Sequence, residues 1–336
     1  MEDYTLKNRE LEVEDFIEGI LNGNRVMLAK AITLVESNNS KHFLKAQKII
    51  EILLSQKKKS IRIGITGIPG VGKSTFIDTF GCFLCNMGYH VAVLAIDPSS
   101  QVSKGSIMGD KTRMERLAKH PNSFIRPSPS GGNLGGVNRK TRETIILCEA
   151  AGYDVILVET MGVGQAEYVV REMVDFFLLL VITGAGDDLQ RIKRGIMELP
   201  DLIVVHKADG ENLEKAIMTM HEYNQMLRYI TPYTLGWAPQ AVNASSINET
   251  GIDEIWKIIN KFERYTKESN IFDKRRDEQK WNWLHDLIKQ ELSDRFYQHP
   301  QVKQQLEIYE ENIIKGKKSV SASALELINL FLFDAK

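Results

Sequence analysis

The sequence predicts an α/β fold, in which a mostly parallel central sheet is flanked by helices and further helices precede and follow it. Seven short apolar runs alternate with helical stretches between residues 60 and 265. Apolar strands that alternate with helices are typical of parallel sheets covered on both faces. The residues before and after this region show only the apolar spacing of helices. Ligands of such sheets bind beyond the carboxyl ends of the strands, so a functional site is expected there.

Composition and charge exclude several classes of protein. The chain has 336 residues, and its 43 Lys and Arg against 44 Asp and Glu give a net charge of −1. This balance argues against bulk nucleic-acid binding, which needs a basic field. No apolar run approaches the ~20 residues of a membrane-spanning helix, and the acidic start lacks the apolar core of a signal peptide. Three cysteines do not suggest a secreted disulfide scaffold. We therefore expect a cytoplasmic or organelle-matrix protein without nucleic-acid or membrane partners.

Three regions follow one another along the chain. Residues 1–59 are predicted to form a helical extension, in which Asn22-Gly23-Asn24 and a second polar run at 37–40 separate the helices. Residues 60–265 contain the predicted strands, which are 62–66, 90–96, 123–126, 154–159, 176–182, 202–206 and 240–243. Residues 266–336 again show helical patterning throughout.

The last predicted helix is too apolar for a single buried stripe. One face of a helix cannot hold all seven of its large apolar residues, which are Leu325, Leu327, Ile328, Leu330, Phe331, Leu332 and Phe333. Exposed apolar surface of this kind usually marks an interface. A homodimer is therefore our hypothesis, and a single helix packed on two sides is the alternative.

A glycine-rich loop directly follows the first predicted strand. Gly67-Ile68-Pro69-Gly70-Val71-Gly72-Lys73-Ser74 matches the P-loop pattern G-x-x-x-x-G-K-[ST] and precedes a helical run, which is the context that the motif requires. Backbone N–H groups of such a loop surround phosphate oxygens, and the helix N-terminus adds partial positive charge. Lys73 is predicted to reach the β- and γ-phosphates, Ser74 to ligate Mg²⁺, and Thr75 to face the α-phosphate. The dinucleotide-binding pattern fits less well, because Thr75 stands where its third glycine belongs.

Two acids at predicted strand ends are candidate magnesium ligands. Asp97 follows the second strand and Glu159 ends the fourth, at positions where P-loop proteins hold the metal directly or through water. Glu159-x-x-Gly162 also resembles the D-x-x-G element of GTPases. Gln165 is the candidate for positioning the attacking water, but it stands later than in Ras-like proteins, where Gln directly follows the glycine. We therefore expect slow intrinsic hydrolysis of the nucleotide. Hydrolysis should accelerate when a partner orders the switch segments, which in GTPases are the loops that contact the γ-phosphate.

Further charges and a base-reading element complete the predicted site. Candidate charges for stabilising the transition state are Arg113, Lys193 and Arg194. His206-Lys207-Ala208-Asp209 resembles N-K-x-D, in which the carboxylate accepts hydrogen bonds from guanine N1 and N2 that adenine does not offer. His206 replaces the usual asparagine, which braces the P-loop and touches the base. Ser245 and Ser246 resemble the final base-contacting loop. The predicted ligands are GTP or GDP with Mg²⁺.

Several further segments occur in order and carry a specific family resemblance. They are Asp97-Pro98-Ser99-Ser100, residues 105–114, Arg126-Pro127-Ser128-Pro129-Ser130, Leu134-Gly135-Gly136, Lys140-Thr141-Arg142-Glu143 and Gly162-Val163-Gly164-Gln165. With the P-loop, this combination resembles the MeaB and ArgK family of methylmalonyl-CoA mutase-associated GTPase chaperones. The resemblance runs from about residue 16 to residue 256 and is weaker in the C-terminal helices.

The resemblance implies a dimeric P-loop GTPase with a C-terminal helical dimerisation arm. Such a protein binds an adenosylcobalamin-dependent acyl-CoA mutase, gates cofactor loading from the adenosyltransferase, and protects or reactivates the mutase. The family's Mg²⁺ ligands map onto Ser74, Asp97, Asp110 and Glu159, and its mutase-responsive switch maps onto residues 187–195, with Lys193 as the mobile charge. The alternatives are a P-loop kinase or ATPase linked to amino-acid transport, or a nucleotide-dependent scaffold without hydrolysis.

Overall fold

The computed structural model describes residues 11–56, 58–97, 113–129, 134–160, 166–184 and 194–334. The chain divides into two compact units between Asp277 and Glu278. The first unit contains the N-terminal helices and the sheet, and the second contains the C-terminal helices.

A seven-stranded parallel sheet forms the centre of the first unit. Its strands are β1 (Ile61–Gly67), β2 (Val91–Asp97), β3 (Ser123–Pro129), β4 (Val155–Thr160), β5 (Phe176–Val181), β6 (Leu202–His206) and β7 (Gln240–Ala244). They lie in the order β3-β2-β4-β1-β5-β6-β7, and each neighbouring pair is parallel. Every residue of β4, β5 and β6 is buried, which is why these runs are continuously apolar. The predicted parallel sheet and its seven strands are confirmed.

Nine helices of the described residues lie wholly within the first unit. They are α1 (Val13–Leu21), α2 (Arg25–Glu36), α3 (Ser40–Leu53), α4 (Lys73–Asn86), α5 (Glu115–Lys119), α6 (Leu134–Ala150), α7 (Ala166–Arg171), α8 (Leu213–Leu227) and α9 (Ile252–Glu268). Short 3-10 segments span Leu54–Gln56, Arg194–Glu198 and Gly210–Asn212. The polar breaks seen in the sequence are helix caps, since the Asn24 side chain accepts hydrogen bonds from the N–H groups of Val26 and Met27 at 2.9 and 3.2 Å.

The N-terminal helices pack against the sheet domain through polar contacts. α2 and α3 both contact α6, and α2 also contacts β3. Arg126 of β3 forms an ion pair with Glu36, and the Gln47 amide donates to Glu143 Oε1 at 2.8 Å. Helices and sheet therefore belong to one compact unit.

Aromatic side chains fill the layer between the sheet and the helices α4 and α9. The ring centroids of Phe176 and Phe262 lie 4.9 Å apart at 82°, and those of Phe80 and Trp256 lie 6.2 Å apart. Cys82 and Cys85 are buried in the same cluster as free thiols. This core holds β1 and α4 in place on either side of the glycine-rich loop.

The second unit consists of helices only. It contains most of α10 (Ile271–Gln298), followed by α11 (Pro300–Ile314) and α12 (Val320–Asp334). α11 packs against α12, where Val302 and Leu327 are buried. No helix in the described part of the chain has the length and apolar character needed to cross a membrane.

Candidate nucleotide-binding site

The loop between β1 and α4 depends on its glycines. Gly67, Gly70 and Gly72 have φ angles of 152°, 82° and 95°. Residues other than glycine rarely adopt these angles. A Cβ atom at Gly67 would lie 2.5 Å from the carbonyl oxygen of Leu180 in β5. A Cβ atom at Gly72 would lie 2.8 Å from Cε1 of His206. The loop therefore passes too close to its neighbours for side chains at positions 67 and 72, while at Gly70 only the φ angle favours glycine.

The Lys73 side chain lies along the inside of this loop. It is buried, and its ammonium group donates to the carbonyl oxygens of Gly67 at 2.6 Å and Ile68 at 3.2 Å. Burial lowers the pKa of Lys73, while the charges of Glu159 and Glu167 oppose that shift. The position places a cation where phosphate oxygens of a bound nucleotide would lie.

Ser74 and Glu159 meet at the carboxyl edge of the sheet. β4 pairs with β1, so Glu159 reaches the first turn of α4, and the Ser74 hydroxyl donates to its Oε1 atom at 3.2 Å. A hydroxyl and a carboxylate are hard oxygen donors of the kind that Mg²⁺ prefers, so the donor set fits this ion. The Thr160 hydroxyl at the end of β4 donates a hydrogen bond to the Thr66 hydroxyl of β1, with an oxygen–oxygen distance of 2.7 Å.

The remaining predicted ligands and catalytic groups lie outside the described residues or side chains. The Asp97 backbone ends β2 beside β4, but its side chain is not described, and Asp110, Gln165 and Lys193 lie outside the described residues. Within the described residues no group of three or more His, Cys, Asp and Glu is arranged to hold a metal ion. The full magnesium ligand set and the two catalytic candidates therefore stay predictions.

A cavity of about 540 Å³ opens beside the loop. It is lined by loop residues, both oxygen donors and three cations, namely Pro69, Gly70, Gly72, Lys73, Ser74, Thr75, Arg113, Glu159 and Lys207. Its volume falls within the range of about 300–1,000 Å³ of small-molecule sites. Arg113, a candidate charge from the sequence, is thus a neighbour of the P-loop.

His206 connects the P-loop to the loop that follows β7. The ring is buried, with Nδ1 2.8 Å from the carbonyl oxygen of Val71 and Nε2 2.7 Å from the hydroxyl of Ser246. A carbonyl oxygen only accepts, so Nδ1 carries the hydrogen and Nε2 accepts from Ser246. Burial lowers the pKa of His206, and Lys207 adds to this effect, whereas the Val71 hydrogen bond and Asp209 oppose it. The ring is therefore neutral near pH 7.

The other residues of the base-reading element are fixed by their own contacts. Lys207 Nζ donates to the carbonyl oxygen of Gly70 at 2.9 Å, and its backbone φ of 59° is accompanied by a hydrogen bond from Asn212 to the Lys207 carbonyl at 2.7 Å. The Asp209 carboxylate accepts a hydrogen bond from the buried hydroxyl of Ser245. The structure thus brings the predicted phosphate and base elements to one edge of the sheet.

Sequence reasoning missed two residues of this site, the acid Glu167 and the amide Asn212. Glu167 is fully buried at the start of α7, and its charge raises the pKa of Lys73. Its only sequence signal is an acid shortly after Gly162-Val163-Gly164-Gln165. Asn212 orders the Lys207 turn and also accepts from Thr183, a long-range pair that no spacing rule reveals.

Known proteins resemble this chain over nearly its whole length. The family described as "Methylmalonyl Co-A mutase-associated GTPase MeaB" matches residues 28–301. The GTPase ArgK of Escherichia coli K12 is 43% identical over 288 residues, which are 86% of this chain and 87% of ArgK. The mitochondrial methylmalonic aciduria type A homolog of Mus musculus is 39% identical over 329 residues, covering 95% of this chain and 79% of the mouse protein.

A solved structure confirms the fold class. The structure described as "Crystal structure of LAO/AO transport system kinase" is 33% identical, has a TM-score of 0.78, and aligns over 97% of this chain and 99% of that chain. The family match covers well over half of the chain, and relatives above 30% identity extend over most of it. This chain is a P-loop GTPase and belongs to the methylmalonyl-CoA mutase-associated GTPase family, MeaB.

Proposed function

We propose that this GTPase binds GTP with Mg²⁺ in the cavity beside the P-loop and acts as a chaperone for a cobalamin-dependent acyl-CoA mutase. The observation that supports the nucleotide assignment best is the meeting of Lys73, Ser74 and Glu159 at one end of the site with Asp209 and Ser245 near it. The chain would gate the loading of adenosylcobalamin, delivered by an adenosyltransferase, and protect or reactivate the mutase.

The reaction is the attack of water on the γ-phosphate. Catalysis of this class depends on positioning and on charge stabilisation. Lys73 would neutralise β- and γ-phosphate oxygens, and Ser74 and Glu159 would hold Mg²⁺. The ion, when bound, neutralises charge on the same oxygens. Arg113 also lines the cavity and could add positive charge there. Gln165 and Lys193 remain the candidates for water positioning and for the mobile charge.

The names of the family and of one relative support the mutase as partner. The matching family is described as methylmalonyl-CoA mutase-associated, and the mouse relative is named for methylmalonic aciduria. We therefore expect the mutase to raise steady-state GTP turnover of this protein by ordering its switch segments. Turnover should be measured with and without purified mutase, alongside a pull-down with a GTP analogue and with GDP. Unchanged turnover together with no retained mutase in either nucleotide state would reject the proposal.

A transport-linked kinase or ATPase is the second candidate, favoured by the name of the similar solved structure. The base-reading element weighs against it. Asp209, which Ser245 holds in place, would have no N1 and N2 donors to accept from if adenine replaced guanine. Titration with GDP and with ADP separates the two proposals. Equal affinity for both nucleotides would favour the kinase or ATPase. Tight GDP binding without any turnover would instead favour a scaffold.

The C-terminal helices suggest a homodimer. Trp281, Leu284, Ile288 and Leu292 follow one another at intervals of three or four residues along α10, and between 45% and 64% of each residue is exposed. Such spacing places them on one face of the helix. A second copy of this chain, seated on that face, is the proposed occupant, which agrees with the proposed dimerisation region at residues 266–336.

A further inference from the structure

The number of N–H donors on the side chain at position 206 limits which hydrogen bonds this site can make to a purine. Asparagine, the usual first residue of the N-K-x-D element, has an amide with two N–H donors, so it can brace the loop with one and donate to a base with the other. Neutral histidine has one N–H donor and one acceptor. His206 therefore has half the donor capacity of the residue that it replaces.

The one donor of His206 is already used. Nδ1 donates to the carbonyl oxygen of Val71 at 2.8 Å, and Nε2 accepts from the Ser246 hydroxyl at 2.7 Å. The ring is 2% exposed and lies edge-on to Phe76, with centroids 5.9 Å apart at 84°. These contacts from three segments fix its orientation, so it cannot turn Nδ1 towards a ligand without giving up the P-loop.

The other ring nitrogen does not fit the N7 and O6 edge of guanine. Guanine presents both of these atoms as acceptors on its major-groove edge. Nε2 of the neutral ring is itself an acceptor, and two acceptors cannot share a hydrogen bond. Only a protonated ring would offer a second donor. Protonation is disfavoured because burial lowers the pKa of His206; of the neighbouring charges, Lys207 lowers the pKa further and Asp209 raises it.

We propose that this protein recognises guanine without a hydrogen bond from position 206 to N7, so that selectivity rests on the N1 and N2 edge facing Asp209. The proposal rests on the proposed binding of guanine nucleotide in this site. In this view His206 is a positioning residue, since it acts on the nucleotide through Val71 of the P-loop and Ser246 of the final loop.

The test compares GDP with 7-deaza-GDP, in which N7 is replaced by C–H. We expect calorimetry on the full chain at pH 8 to give dissociation constants that agree within about twofold. Inosine diphosphate, which lacks the N2 amino group, should bind about 10- to 100-fold more weakly than GDP, as expected for a lost hydrogen bond to a charged carboxylate. A loss of more than about fivefold for 7-deaza-GDP in the unmodified protein would overturn the proposal.

Two variants test the assignment to His206. His206→Asn restores a second donor, so it should acquire a preference of about 2- to 10-fold for GDP over 7-deaza-GDP. Ser246→Ala frees Nε2 but adds no donor, so its ratio should stay near one. An Asn variant that binds GDP but shows no preference, or an Ala variant that gains one, would overturn the donor argument. Failure of the unmodified protein to bind GDP at all would instead overturn the proposed function.

Discussion

Asp209 has the geometry of a selectivity residue because its carboxylate is held before any base arrives. The Ser245 hydroxyl donates to Oδ2, and the backbone N–H of Ala208 donates to the carbonyl oxygen of Ala244 at 3.1 Å. The second carboxylate oxygen has no described hydrogen bond, which leaves capacity for guanine donors. The proposed guanine selectivity therefore rests on a preformed acceptor whose position is set by the end of β7.

Replacing this acid should change which purine binds. In Asp209→Asn the amide offers one acceptor and presents N–H₂ towards the guanine N2 donors, so we expect GDP affinity to fall by about 10- to 100-fold, the range for a lost charged hydrogen bond. Xanthosine diphosphate, which has a carbonyl oxygen at C2, should bind the variant better than GDP does. Calorimetry with both nucleotides measures the switch. Retention of the GDP preference by the variant would contradict the assignment.

Lys73 should be required for turnover. Lys73→Ala removes the cation proposed to face the β- and γ-phosphates, and we expect GTP turnover to fall by about 10²-fold or more, the size typical of losing one transition-state donor. Phosphate release from GTP is the measurement. Lys257→Ala is a matched control, because Lys257 pairs with Asp253 on the exposed face of α9, and its turnover should equal that of the unmodified protein. Equal turnover in both variants would remove Lys73 from the mechanism.

At the scale of residues, the sequence predicted the members of the site better than their contacts. The P-loop, Glu159 and the H-K-A-D element follow from local spacing, because each sits at the end of an apolar strand. The substitution at 206 was visible, but its outcome depends on which ring nitrogen faces Val71. Glu167 was missed because burial of an acid after a glycine-rich turn is decided by tertiary packing.

At the scale of elements, a buried polar network at the amino edge of the sheet fixes the start of α10. Arg276 donates through Nε to Asp175 Oδ1 at 2.8 Å and through Nη2 to the carbonyl oxygen of Ser60 at 2.9 Å. Glu149 of α6 binds Arg62 of β1 through both carboxylate oxygens. Burial alone would raise the pKa of Asp175, but Arg276 and Arg62 outweigh it, so the pKa lies below its ordinary value.

Removal of Arg276 should destabilise the first unit in a pH-dependent way. Arg276→Ala leaves a buried carboxylate without its main partner, which costs about 3–5 kcal/mol. A depressed pKa stabilises the fold above the unfolded value near 3.9, and this contribution disappears as pH falls through the folded pKa. Without Arg276 the Asp175 pKa rises, and protonation at low pH removes the unpaired charge, so the loss of stability relative to the unmodified protein should be largest near pH 8 and shrink as the pH falls.

Urea unfolding between pH 4 and pH 8 measures this effect. Arg295→Ala on the same helix is the control, since Arg295 pairs with Glu291 on an exposed surface and the loss should be about 0.3–0.5 kcal/mol. Subtracting the unfolding free energies of the two variants removes the contributions of the titratable groups that both variants share. A difference below about 1 kcal/mol at pH 7 would show that the network does not hold α10.

The elements were predicted better than the network that joins them. Alternation of apolar strands and helices identified all seven strands, because a parallel sheet buries both faces and leaves long apolar runs. The Arg276 contacts join residues 101 and 216 positions apart in the chain. Periodicity reports only on neighbours a few residues away, so these pairs could not be predicted from it.

At the scale of the whole molecule, the apolar face of α10 should control oligomeric state. We expect a dimer for the unmodified protein and a monomer for Leu284→Glu combined with Ile288→Glu, because charges at a buried interface are costly. Both side chains are about half exposed in the chain alone, so the monomer should keep its fold. Multi-angle light scattering at micromolar concentration measures the mass.

A control variant separates interface loss from a general effect of added charge. Leu44→Glu changes an apolar residue on α3 of the first unit that is 62% exposed, more than Leu284 and Ile288, and should leave the dimer intact. A monomeric unmodified protein, or a dimer that survives both substitutions on α10, would contradict the proposed interface. The sequence suggested dimerisation from the composition of α12, whereas the structure adds the α10 face.

The carbonyl contacts of Lys73 have a consequence for how much this lysine adds to nucleotide affinity. Its ammonium group has two loop oxygens as partners, so a phosphate that takes their place gives a gain equal only to the difference between the two sets of hydrogen bonds. We therefore expect Lys73 to add less to GDP affinity than a lysine without such partners would.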